Sequence, residues 1–178
     1  MDKILDELFP SIAVGKYVAS PSLDPARIYL PPNADPTKKL PLLVYYHGGG
    51  FIVESAFPPL YHKHLNRLVT QANVVAVSVN YRLAPEFPLP IAFEDSWRAL
   101  KWIAEGEEEW INEFADLKSV YLGGDSAGGN IAHNIAMRVG ESGGFQFGRD
   151  VPELPRLWIR LDAKRLRSSR SGWISDGD

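Results

Sequence analysis

Ser119-Val120-Tyr121-Leu122-Gly123-Gly124-Asp125-Ser126-Ala127-Gly128-Gly129-Asn130 runs directly into Ile131-Ala132-His133-Asn134-Ile135-Ala136-Met137. A short β-rich segment ends in a crowd of small residues, and an apolar pattern of helical period follows, so the chain reverses sharply around Ser126. This is the shape of a nucleophile elbow. Gly124 and Gly128 stand two residues before and two after Ser126, the G-x-S-x-G spacing that lets strand and helix pass close together while the serine takes a strained backbone conformation. The Ser126 hydroxyl then stands clear of the backbone, and the first amides of the helix, beginning with Ala127, point unpaired N–H groups into the same space. The alternative at this stage is a glycine-rich β-turn-α connection without chemistry.

Upstream lies a second motif, His47-Gly48-Gly49-Gly50-Phe51, directly after the apolar run Leu42-Leu43-Val44-Tyr45-Tyr46. Three consecutive glycines after a strand leave backbone N–H groups exposed at its carboxyl end, where the elbow serine also emerges. Such a loop supplies oxyanion donors from Gly49 and Gly50, with Ala127 as the third. A Gly-Gly-Gly run alone is ordinarily a flexible connection; its pairing with the elbow, in this order, gives it weight.

The frame around these motifs reads as α/β. Leu42–Tyr46 and Val74–Val79 are apolar runs suited to strands covered on both faces, and Tyr61–Gln71 between them has helical character. Phe93, Trp97, Leu100 and Ala104 recur at helical spacing, with Glu94 and Asp95 in the first turn, where negative charge suits the helix dipole. Ile12–Val18 and Ala26–Leu30 read as short strands joined by the turn-rich Ser20–Pro25, and residues 2–9 as a short amphipathic helix ending at Pro10. The alternation implies a mostly parallel central sheet with helices on both faces, its ligands near the carboxyl ends of the strands.

Composition narrows the function classes. With 178 residues, 45% of them hydrophobic and 23% charged, the chain reads as one globular domain. A net charge of -3 gives no reason to expect nucleic acid or an anionic membrane as a partner. The absence of cysteine excludes disulfides, thiol catalysis and Cys-based zinc sites. The opening Met1–Leu8 alternates charge with apolar residues, unlike a signal peptide or a membrane span, and a cytoplasmic setting is expected. No metal and no cofactor are implied.

His47–Phe51, Asn80-Tyr81-Arg82-Leu83-Ala84-Pro85-Glu86 and Gly124–Asn130 together resemble the hormone-sensitive-lipase branch of the α/β-hydrolases, and the surrounding sequence is similar to the plant carboxylesterases. The resemblance is close from about Pro41 to Val139 and looser before that. It implies hydrolysis of small carboxylic esters through an acyl-serine, with Ser126 as nucleophile, Gly49, Gly50 and Ala127 as oxyanion donors, and His47 and Gly48 shaping the loop. The gibberellin receptors of the same family bind rather than hydrolyse, and their loop tends to read His-Gly-Gly-Ser; Gly50 keeps the esterase form.

In this family the acid and the histidine follow the serine. Only His133 does so here, and a rise of about 1.5 Å per residue carries it roughly 10 Å along the helix from Ser126, which excludes it as the base. His62 and His64 precede the serine and are assigned solvent-facing or structural roles. None of Glu141, Asp150, Glu153, Asp162, Asp176 and Asp178 lies in a strand-end context, so none is assigned as the acid. Glu105, Glu107, Glu108 and Glu109 read as a solvated loop. Asp95 and Asp125 read as a helix-start residue and an elbow residue rather than a metal pair, and Tyr81–Glu86 as a structural turn in which Arg82 and Glu86 bridge neighbouring loops.

Beyond residue 140 the character changes. Residues 156–170 carry Arg156, Arg160, Lys164, Arg165, Arg167 and Arg170 against the single acid Asp162. The expected division is residues 1–155 as the N-terminal part of one α/β-hydrolase domain and 156–178 as an atypical basic tail, read as an altered terminus. At about 30 residues per βαβ unit, an eight-stranded hydrolase needs roughly 240 residues, so the fold is expected to be incomplete at its C-terminal end. The short Ser20–Ala26 segment adds the expectation that the first sheet edge is also missing or rearranged. Two functions follow: a serine ester hydrolase whose activity is weakened by the missing base, or a non-catalytic, hormone-receptor-like binder or inactive truncated isoform that pairs through an uncovered edge.

Overall fold

A computed structural model describes residues 14–20, 23–106 and 108–141. Its order is β1 (Val14–Ser20), β2 (Leu23–Leu30), β3 (Leu40–Tyr46), α1 (Pro59–Ala72), β4 (Val75–Val79), α2 (Ile91–Glu105), α3 (Glu109–Phe114), β5 (Ala115–Gly124) and α4 (Ala127–Glu141). The helix expected over residues 2–9 and the basic tail 156–178 lie outside the described residues.

The strands form one sheet in the order β1-β2-β4-β3-β5. β3 lies between β4 and β5 and is parallel to both, with Tyr46 level with Val79 on one side and with Gly124 on the other. β1 and β2 run antiparallel, and β2 is antiparallel to β4. The sheet is therefore mixed, where the sequence suggested a mostly parallel one. The physical reason is the link from β2 to β3, residues 31–39, which is too short to carry the crossover helix that a parallel return requires. The first edge is also built: β1 pairs with β2 from Val14↔Leu30 to Ser20↔Leu23, with an irregularity between Val18 and Ser20. Of the short segment expected to cost the fold an edge, Ser20 ends β1 and Leu23–Ala26 open β2, and Ser20 pairs with Leu23.

The pleat divides the core between two layers. Ile28, Leu42, Val44, Val77 and Leu122 belong to the cluster that meets α2 and α4, which present Leu100, Ile103, Ile131 and Ile135. Tyr29, Tyr45 and Ala76 form a second cluster with Tyr61, Leu65 and Val69 of α1. Helices thus cover both faces. Each fully buried Leu or Ile contributes about 1.5–3 kcal/mol by leaving water. In α4 the buried positions Ile131, Ala132, Ile135, Ala136 and Val139 follow the 3.6-residue period, which lays this helix along the sheet directly after the elbow. α1 and α2 stop at Asn73 and Gly106, both left-handed, with φ of 52° and 70°.

Two charged positions differ from expectation. Glu108, read as part of a solvated loop, is buried; its Oε2 accepts the Ile111 N–H at 3.1 Å, capping α3, and its Oε1 pairs with Lys16 of β1. Arg82 bridges to Asp95 of α2, a partner that the sequence reading of the turn did not name, and Glu86 is exposed. No helix among the described residues is long and apolar enough to cross a membrane.

Candidate active site

β3 and β5 are parallel neighbours, so the segments leaving their carboxyl ends, His47–Gly50 and Asp125–Ala127, emerge side by side. The glycines show how close they lie. A Cβ added to Gly128 would stand 1.9 Å from the Tyr46 carbonyl oxygen and 2.7 Å from that of His47, and one added to Gly48 would stand 2.3 Å from Oδ2 of Asp125. Only glycine allows these backbones to meet.

Ser126 sits at φ 47°, left-handed backbone that a non-glycine residue adopts at a cost of about 1–3 kcal/mol. The surrounding turn holds it there: the Asp125 carbonyl accepts the Gly128 N–H at 2.8 Å, and the Ser126 carbonyl accepts the Asn130 N–H at 3.1 Å. Ser126 is exposed, whereas Ala127 is buried at the head of α4. The glycine loop is wound tightly too. Gly49 and Gly50 have φ of 99° and 63°, and the Gly49 carbonyl accepts the N–H groups of Ile52 and Val53 at 3.0 and 3.1 Å. Among the described residues, none accepts a hydrogen bond from the amides of Gly49, Gly50 or Ala127. Three free donors at the ends of two adjacent strands can bind an anionic oxygen.

His47 supports the loop from beneath. Its ring is buried and stacks on Tyr81 at 4.2 Å between centroids, and Nδ1–H donates to the Gly48 carbonyl at 2.8 Å. Burial pushes the imidazole below its usual pKa and keeps it neutral. The Tyr81 hydroxyl donates to the His47 carbonyl at 2.6 Å, so one tyrosine holds both ring and backbone. Arg82 beside it is fixed by the buried Asp95 of α2, whose carboxylate accepts the Arg82 N–H at 3.0 Å, Nε–H at 2.8 Å and Nη2–H at 2.7 Å, and also accepts from Arg98. Burial pushes the Asp95 carboxyl up, and the donors of Arg82 and then Arg98 together outweigh it and hold the carboxyl below its usual pKa. The Tyr81–Glu86 turn is thereby bolted to α2 and, through Tyr81, to the glycine loop.

Asp125 has partners that the sequence did not reveal. The Tyr45 hydroxyl donates to Oδ1 and the Tyr61 hydroxyl to Oδ2, each at 3.0 Å. Both tyrosines stand at positions that also suit plain core packing, and spacing gave no signal of a polar task.

The histidines stand as follows. His62 faces Arg27, Tyr29 and Asn66; the His64 ring lies 5.7 Å from that of Tyr45; His133 is exposed on α4. None of the four, and no other described residue, hydrogen-bonds the Ser126 hydroxyl. Of the acids considered after the serine, Asp150, Glu153, Asp162, Asp176 and Asp178 lie outside the described residues, as does the side chain of Glu141.

A mixed sheet covered on both faces, with a strained serine between its fifth strand and the next helix and a glycine loop beside it, defines an α/β hydrolase architecture. The family described as "alpha/beta hydrolase fold" matches residues 43–169, and the chain belongs to it. Among its relatives are "Probable carboxylesterase 2" of Arabidopsis thaliana, 58% identical over 117 residues covering 66% of this chain and 37% of that protein, and "2-hydroxyisoflavanone dehydratase" of Glycyrrhiza echinata, 46% identical over 145 residues covering 75% and 44%. The hyperthermophilic esterase from Pyrobaculum calidifontis superposes with a TM-score of 0.65 at 35% identity, over 80% of this chain and 46% of that one. The chain spans less than half the length of these relatives.

Proposed function

We propose that this chain carries the nucleophile and oxyanion site of a serine carboxylesterase acting on small-molecule carboxylic esters. The supporting observation is the abutment of the two segments, in which the Asp125 carboxylate lies against Gly48 and Gly128 against the Tyr46 carbonyl. Ser126 Oγ attacks the ester carbonyl carbon as its proton passes to solvent water, the carbonyl π electrons move onto oxygen, and the amides of Gly49, Gly50 and Ala127 receive that oxyanion. Collapse of the adduct expels the alkoxide, which takes up a proton as the alcohol leaves, and water then releases the acid and restores Ser126. His47 and Gly48 shape the loop without touching substrate. No described residue is in place to take the Ser126 proton. The chemistry assigned here is the oxyanion half, which sustains about 10³–10⁴-fold acceleration over water without a complete triad. Residues 1–155 are part of one domain, residues 156–178 are a basic tail of which the family match still covers 156–169, and the location is cytoplasmic.

A fluorophosphonate probe tests this reading. Covalent labelling that maps to Ser126 and disappears in Ser126→Ala, with slow turnover of a short-chain nitrophenyl ester, is the expected result. No labelling of the folded protein refutes it. The Ser126 hydroxyl has no partner among the described residues, which favours a second reading, a small-molecule binder without turnover; this predicts saturable binding of an ester that stays intact and is displaced by non-hydrolysable analogues.

A further inference from the structure

The glycine loop and the elbow belong to different strands, and a third element joins them. We infer that the Tyr61 hydroxyl of α1 is a positioning group that locks the oxyanion loop to the nucleophile elbow. Its oxygen accepts the Gly48 N–H at 2.9 Å, and its own proton goes to Oδ2 of Asp125 at 3.0 Å, one residue before Ser126. One phenol thus serves as acceptor toward the loop and donor toward the elbow. The directions are forced, because the amide can only donate and an ionised carboxylate can only accept.

The surroundings keep this bridge in place. Tyr61 is buried, with its ring 5.9 Å from that of His47 and 6.4 Å from that of Tyr45. Tyr45 occupies the other carboxylate oxygen of Asp125, so the carboxylate cannot turn away without losing a bond. Burial raises the Tyr61 phenol above its usual pKa; the Gly48 N–H works against this and the Asp125 carboxylate adds to it, so the phenol remains a donor at neutral pH. Gly48 has no other partner for its N–H among the described residues, so the loop's first amide depends on this hydroxyl. Tyr61 touches no reacting atom. Its effect passes through the placing of Gly49 and Gly50 relative to Ser126, and that consequence rests on the ester-hydrolase reading.

Two measurements on wild type, Tyr61→Phe and Tyr45→Phe test the inference. Tyr61→Phe retains the ring and removes only the bridge; Tyr45→Phe removes a bond to the same carboxylate but none to Gly48. In amide hydrogen exchange the wild-type Gly48 N–H is protected, Tyr61→Phe exchanges it about ten-fold faster or more, and Tyr45→Phe leaves it unchanged. In fluorophosphonate kinetics Tyr61→Phe lowers the maximal inactivation rate about ten-fold with the half-saturating probe concentration unchanged, the pattern of misplaced donors rather than lost binding. An unprotected Gly48 amide in the wild type overturns the inference without any variant, as does equal Gly48 exchange in wild type and Tyr61→Phe. A wild-type protein that never labels sinks the esterase reading instead, while exchange at Gly48 still decides whether Tyr61 joins the two segments.

Discussion

Gly128→Ala is the sharpest test of how this site is assembled. The added methyl would lie 1.9 Å from the Tyr46 carbonyl oxygen, 2.5 Å from its carbon and 2.7 Å from the His47 oxygen, whereas real Cβ contacts essentially never fall below 3.0 Å. All three atoms are backbone, so no rotamer change relieves the clash. α4 must lift from the sheet, or the end of β3 must move, by about 1 Å. β3 is paired on both sides and α4 is anchored by Ile131 and Ile135, so the displacement disturbs packing along both. Overpacking of this kind costs about 1–3 kcal/mol, and with no yielding partner the upper figure applies. Alanine returns up to about 1 kcal/mol of helix propensity, leaving about 2 kcal/mol net destabilisation. For a chain of this size that lowers Tm by about 4–8 °C. Gly140→Ala is the internal control: it lies in the same helix, is exposed, and would place its Cβ more than 4 Å from any neighbour, so it should stabilise by about 0.5–1 kcal/mol. Urea and thermal unfolding of the two variants are compared with wild type. If Gly128→Ala falls within about 0.5 kcal/mol of Gly140→Ala, the close approach of β3 and α4 is wrong, and the argument for convergence of the two segments fails with it.

Three other perturbations probe the supports. Asp95→Asn takes the charge from a buried carboxylate held by two guanidinium groups; breaking such a pair costs about 3–5 kcal/mol, reduced here to about 2–3 kcal/mol because the Arg82 and Arg98 side chains remain 36% and 46% exposed. Thermal unfolding checks it, and a wild-type Tm would refute the anchoring of the Tyr81–Glu86 turn. His62 accepts from Arg27 at Nδ1 and is held neutral by burial and then by that positive neighbour, so its folded pKa lies below the ordinary 6.5. A base whose folded pKa is depressed stabilises fully above its unfolded pKa, so stability should fall as pH drops below about 6.5 and level off beneath the folded value. The His62→Gln variant should show a shallower decline in urea midpoint between pH 7.5 and 5, His47 contributing the remainder in the same direction; identical curves would refute the assignment. Gly50→Ser meets open space, and its φ of 63° costs about 1 kcal/mol, so the variant should fold with Tm lowered by only a few degrees. A variant that fails to fold would show that Gly50 is packed more closely than its surroundings indicate.

What was legible in the sequence was what short-range chemistry dictates. Gly124 and Gly128 on either side of Ser126 announce a strand-to-helix reversal because only glycine at those two positions permits it, and the backbone distances at both bear this out. The apolar runs of β3 and β4 and the periodicity of α2 fall within a few residues of their observed bounds because burial on two faces, or along one stripe, leaves a pattern in every turn of chain. Strand direction leaves no such pattern. Residues 31–39 held the one clue to the mixed sheet, a link too short for a parallel crossover, and the alternation of elements outweighed it.

The supports of the site were hidden for a related reason. Asp95 reads from sequence as a first-turn acid suited to the helix dipole, but α2 begins at Ile91 and has only Glu94 in that turn; the task that Asp95 does perform, accepting from Arg82 across 13 residues of chain, leaves no trace in the pattern. Glu108 is masked by the neighbouring glutamates, although Ile111 three residues on is the spacing of an N-cap bond. Tyr45 and Tyr61 are apolar enough to read as core, and they do pack there; the hydroxyl that each carries matters only because Asp125 arrives from 80 and 64 residues away. A residue doing two tasks reveals in sequence the one that its neighbours share. A tyrosine where phenylalanine would fill the space equally well, in the strand or helix beside an acidic elbow, is the signal that would have found both, and replacing each hydroxyl by hydrogen is how the second task is separated from the first.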